Sequence, residues 1–120
     1  MDKLTAARLE QYIKWARDLN LDYDEYEDGV DDPNYLVQIS RDGLQEQIDK
    51  DITVFTEEDL NKIKETDLLI LNNIEQASRW LSSDSSKPKA NWWWHLDLIE
   101  SGDMPQPDIN KIFTVYFTVL

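Results

Sequence analysis

The sequence predicts an α+β fold, with three or four helices packed on a small antiparallel sheet and a C-terminal strand at the centre of that sheet. Three observations carry this prediction. Apolar residues recur at the 3.6-residue helical period in two stretches: Leu9, Tyr12, Ile13, Ala16 and Leu19, then Leu60, Ile63, Ile70, Leu71, Ile74, Ala77 and Leu81, with Asp67 on the same stripe. Tyr35, Val37 and Ile39 alternate with Leu36, Gln38 and Ser40, the period of a half-buried strand. The last ten residues, Lys111 to Leu120 (KIFTVYFTVL), are dense in β-branched and aromatic side chains, as in a strand buried on both faces.

Each element can be justified in turn. Thr5 is placed to cap the first helix, and Trp15 falls off its apolar stripe. An acidic segment follows and closes at Asp32-Pro33-Asn34, a turn signal. After the first strand, Arg41-Asp42-Gly43 reads as a hairpin turn, because Asp-Gly readily supplies positive φ. A second strand then runs through Leu44, Glu46 and Ile48, and on towards Ile52 and Val54.

Thr56 with Asp59 three residues later forms a capping box for a helix of about 25 residues, with a break near Glu65 as the alternative. Ser82 to Lys89 lacks any large apolar residue and reads as a flexible surface loop. Asn91 is placed to cap a helix from Trp92 to Glu100, ended by Gly102 at C′ and Pro105 beyond. For the C-terminal segment, the alternative to a strand is a short helix capped by Asp108.

A chain of 120 residues is long enough to bury about two-thirds of its unfolded surface, so residues 1–120 are expected to form a single domain. Zero cysteines exclude disulfides, thiolate zinc sites and cysteine nucleophiles, and the single histidine, His95, excludes multi-histidine metal sites. No apolar run reaches membrane-span length and no signal-peptide pattern opens the chain, which points to a cytoplasmic protein. No cofactor is expected.

The net charge is −13, from 12 Lys and Arg against 25 Asp and Glu. Both nucleic acid and anionic membranes repel such a surface, so the expected partner is a basic protein. The excess is local. Asp18 to Asp67 holds 17 acids and 4 cations, and its densest part, Asp22 to Asp32, holds seven acids in eleven residues with no cation. Here Asp22, Asp24, Glu25, Glu27, Asp28, Asp31 and Asp32 interleave with Tyr23 and Tyr26. Carboxylates that steer and pair with cations, beside tyrosines that give rigid contact area, make this the candidate partner-binding segment. A solvated loop is the plain alternative. A calcium loop fails on spacing, because a frame starting at Asp24 puts Tyr26 at the third ligand position and Tyr35 at the twelfth.

Trp92, Trp93 and Trp94 are consecutive. On an α-helix successive residues turn by about 100°, so three adjacent indoles cannot share one buried stripe. At least one should be exposed or meet a second surface, and Trp93 is the candidate interface anchor. His95 could act as a general base, but no nucleophile in a recognisable context, phosphate-binding glycine loop or spaced metal ligands accompany it.

Small size, absence of cysteine, acidity concentrated in Asp22–Asp32 and the aromatic Trp92–Trp94 together resemble the small bacterial immunity proteins of contact-dependent and other polymorphic toxin systems. The resemblance covers the whole chain by composition and includes no diagnostic motif. It implies a non-catalytic inhibitor that binds and neutralises a basic toxin domain, typically a nuclease. Phage-encoded inhibitors of nucleic-acid-directed defence systems are similar in composition, as acidic mimics of a phosphate backbone. A small enzyme using His95 is the third possibility.

Overall fold

Helices stand where the sequence predicts strands. The computed structural model describes residues 1–18 and 33–120, and among these there are six α-helices, two short 3-10 turns and no strand. The α+β expectation is therefore corrected to an all-helical arrangement among the described residues.

Helix α1 (Lys3–Arg17) buries Leu9, Tyr12 and Ala16 of the expected stripe, with Ile13 partly buried and Leu19 outside the described residues. Its cap is Asp2, whose side chain accepts the Thr5 amide at 2.7 Å, while Thr5 itself lies buried in the first turn. Helix α2 (Pro33–Asp51) replaces both predicted strands and their hairpin. Its apolar side chains Val37, Leu44 and Ile48 sit about whole helical turns apart and are buried, and α2 packs against α1.

Gly43 is not a turn residue. The positive-φ glycine among the described residues is Gly102. A Cβ on Gly43 would lie 2.4 Å from Cδ of Arg8, so this glycine lets an α1 side chain cross the α2 backbone.

A 3-10 turn (Ile52–Val54) leads to α3 (Glu57–Asn72), which opens with the expected reciprocal box between Thr56 and Asp59. The predicted long helix divides at Asn73, whose backbone leaves the helical region and whose side-chain amide donates to the Leu69 carbonyl at 2.8 Å. Helix α4 (Ile74–Trp80) follows. Trp92–Trp94 form a single 3-10 turn, and the helix expected over them begins only at Leu96 as α5 (Leu96–Ser101), ending at Gly102 with φ 85°.

The predicted central strand is helix α6 (Ile109–Phe117), capped by Asp108 through the Lys111 amide at 3.1 Å. Ile109 and Phe113 face inward, whereas Val115, Val119 and Leu120 are exposed, which is incompatible with a strand buried on both faces. Helix α3 packs on α1 and α6, and α4 packs on α5. No described helix is long and apolar enough to cross a membrane.

Candidate functional site

The polar stripe of α2 organises the interior. Gln38, Arg41, Asp42 and Gln45 recur at helical spacing and face the tryptophan turn and α6. Gln38 is fully buried and clamps the connection after α4: its Nε2 donates to the carbonyls of Ser82 (2.6 Å) and Trp93 (2.7 Å), and its Oε1 accepts the Ser82 amide (3.1 Å).

Arg41 and Asp67 are joined by two parallel bonds, Nε to Oδ1 at 2.9 Å and Nη2 to Oδ2 at 3.0 Å. The Tyr12 hydroxyl also donates to Asp67 Oδ1. The remaining edge of the guanidinium donates from Nη1 to Gln45 Oε1 at 3.1 Å, and its carbon lies 4.5 Å from the centre of the Trp93 ring. All three charged or ionisable groups are buried.

Burial pushes the Tyr12 phenol well above its ordinary range, and the Asp67 charge adds to the effect against the opposing pull of Arg41. Burial likewise raises the Asp67 carboxyl, with Arg41 and the Tyr12 hydrogen bond opposing it. For Arg41, burial acts downward, but Asp67 and Tyr12 outweigh it and hold the guanidinium protonated. The assembly is a closed charge pair with a tyrosine proton locked against it. It presents no group poised to take a proton from a substrate.

Trp93 is 1% exposed, and Trp92 and Trp94 are 4% each, so none of the three indoles is at the surface. The expectation of an exposed Trp93 anchor is corrected accordingly. Two features accommodate all three rings. Near three residues per turn, a 3-10 turn sends successive side chains about 120° apart, toward different walls. In addition, Asp42 Oδ1 accepts both indole N–H groups, from Trp93 at 2.7 Å and from Trp94 at 2.8 Å. Trp92 meets Trp93 edge-on, with centroids 5.5 Å apart.

The predicted flexible loop Ser82–Lys89 is tied over this turn. The Asp84 amide donates to the Trp94 carbonyl at 3.1 Å, and Lys87 Nζ sits 5.1 Å from the Trp94 ring centre. His95 is buried, with Nε2 donating toward the carbonyls of Lys87 (2.9 Å) and Pro88 (3.2 Å). His95 thus fastens a loop.

Between α2, the tryptophan turn and α6 lies a hollow of about 280 Å³. Arg41 and Asp67 form its floor, Trp92, Trp93 and Phe113 its walls, and Gln45, Asp49, Asn91 and Tyr116 its polar margin. Gln45 Nε2 donates to Asp49 Oδ1 at 2.9 Å and to the Tyr116 hydroxyl oxygen at 3.3 Å. Sequence reading missed this site. The one available signal was Asp67, a carboxylate on the apolar stripe of α3, which requires a buried cation opposite it.

Asp22, Tyr23, Asp24, Glu25, Tyr26, Glu27, Asp28, Asp31 and Asp32, the candidate partner-binding segment, lie outside the described residues. Comparison with family models, curated proteins and solved structures finds no match to this chain.

Proposed function

We propose that the chain is a non-catalytic, cytoplasmic inhibitor that binds a basic protein, the immunity partner of a bacterial nuclease toxin. The observation that carries the reading is where the charge goes. Among the described residues, Asp67 and Arg41 are the one buried acid and the one buried cation, and they neutralise each other. Among the described residues the interior therefore absorbs none of the acidic excess. A surplus of this size opposes compaction through self-repulsion, and a complementary basic surface would relieve it while accelerating encounter.

The seven acids of Asp22–Asp32 lie in the sequence between α1 and α2, which pack against each other.

Co-expression tests the reading. The protein encoded by the adjacent gene should be a basic toxin domain that arrests growth alone and is harmless when this chain is present. An adjacent toxin that still kills in the presence of folded chain would overturn the proposal.

A further inference from the structure

We infer that the hollow between α2, the tryptophan turn and α6 receives a cationic side chain, lysine or arginine, from the bound protein. The inference rests on the basic-partner reading for the source of that side chain. Its stereochemical basis is independent of that reading.

Size comes first. At about 280 Å³ the hollow falls just below the range of roughly 300 to 1,000 Å³ that holds drug-sized ligands, and it suits one long side chain. Its lining is aromatic: Tyr116 and the small exposed part of Trp92 stand beside Trp93, whose ring is buried against the Arg41 guanidinium at 4.5 Å, and an aliphatic stem packs on such a surface.

Charge comes second. The floor contributes no net charge, because Arg41 is matched by Asp67 through two bonds and its third edge is taken by Gln45. What remains is the exposed carboxylate of Asp49. Gln45 occupies its Oδ1, while among the described residues nothing engages its Oδ2. The half-buried Asn91 amide is likewise without a side-chain hydrogen bond, even at the start of the 3-10 turn. The margin therefore offers two acceptor oxygens beside an aromatic slot. That matches an ammonium or guanidinium, which has donors and no acceptor. An anion would meet the Asp49 charge, and an uncharged apolar group would gain nothing from either acceptor.

The test uses the chain alone, with capped lysine, capped arginine and capped norleucine as probes, read by the indole N–H resonances of Trp92 and Trp93. Lysine or arginine should shift these resonances saturably. Norleucine, of similar shape and no charge, should bind at least fivefold more weakly. Asp49→Asn keeps the oxygen that Gln45 uses and should weaken the cationic probes at least threefold without changing the melting temperature. Equal binding of norleucine, an Asp49→Asn variant as good as wild type, or no shift at 100-fold excess over the concentration of chain with probe at about 0.1 M would each overturn the inference. Because no partner is present, these outcomes leave the basic-partner reading standing, and failure of that reading leaves them unchanged.

Discussion

Arg41 and Asp67, 26 residues apart in sequence, meet through two parallel hydrogen bonds in the interior, and Tyr12 adds its hydroxyl to the same carboxylate. The pair ties α2 to α3, and Tyr12 brings in α1. Removing one partner strands the other as an uncompensated buried charge. Asp67→Leu should therefore cost about 3 to 5 kcal/mol. The triple variant Tyr12→Phe, Arg41→Met, Asp67→Leu should cost clearly less, since no buried charge is left unpaired and only the half-buried Gln45 oxygen loses a partner. Denaturant titration of the single and triple variants gives the comparison. A triple variant at least as unstable as Asp67→Leu would show that the network stabilises by its own bonds.

Alkaline stability follows from Tyr12. Its folded pKa is raised, so in the unfolded chain the phenol loses its proton at about pH 10 while the folded chain still holds it. Above that pH the unfolded state binds fewer protons, and stability must fall as pH rises. In a series from pH 8 to pH 11, the melting temperature should fall more steeply for wild type than for Tyr12→Phe once the pH passes about 10. Parallel declines would remove Tyr12 as the cause.

Asp42 holds two indole N–H groups on one oxygen. Asp42→Ala would leave both buried and unpaired, at about 1 to 3 kcal/mol each. Asp42→Asn retains an acceptor and should cost less than half as much. Truncating any of Trp92, Trp93 or Trp94 to Ala should cost about 3 to 5 kcal/mol, as for a core aromatic. Thermal melts of the five variants check this, and a tryptophan variant within about 0.5 kcal/mol of wild type would contradict the burial.

Gly43 and Arg8 make a coupled pair. In an Arg8→Ala background, Gly43→Ala should stabilise α2 by about 0.5 to 1 kcal/mol, the usual gain for a helix interior. With Arg8 present, the new Cβ meets the side chain at 2.4 Å and that gain should vanish or reverse. A double-mutant cycle measures the difference, and additive effects would mean that Arg8 is free to swing away.

The helices with apolar stripes and side-chain caps were legible. The stripe of α1, the start of α3 at Thr56 and the Gly102 terminus agree with the sequence reading. Helix α2 was hidden by its own function. Its inward face is half polar, so Gln38, Arg41 and Gln45 break the apolar count, although Val37, Leu44 and Ile48 keep the helical period. Asp42-Gly43 imitates a hairpin turn because one residue binds indoles and the other makes room for Arg8. In α6, Ile112, Phe113, Tyr116 and Phe117 pack on the core while Val115 stays exposed, so density in β-branched and aromatic residues is no mark of a strand here, and the Asp108 cap was the better guide. All three tryptophans are buried because they stand on a 3-10 turn, whereas the expectation of an exposed ring rests on α-helical spacing. The Arg41–Asp67 pairing spans two helices and has no local signature beyond the misplaced carboxylate of Asp67.

Binding kinetics with the proposed partner, the basic toxin domain expected from the adjacent gene, test the central claim most directly, comparing wild type with Asp24→Asn, Glu25→Gln, Glu27→Gln, Asp28→Asn combined. The Debye length shrinks from about 10 Å at 0.1 M salt to about 3 Å at 1 M, so the proposed steering by these acids would be strongly salt-sensitive. The account predicts that the wild-type association rate falls steeply over this range, and that the variant, with its melting temperature level or raised, binds at least tenfold more weakly with a flatter salt dependence. A folded variant with wild-type affinity and wild-type salt dependence would contradict it.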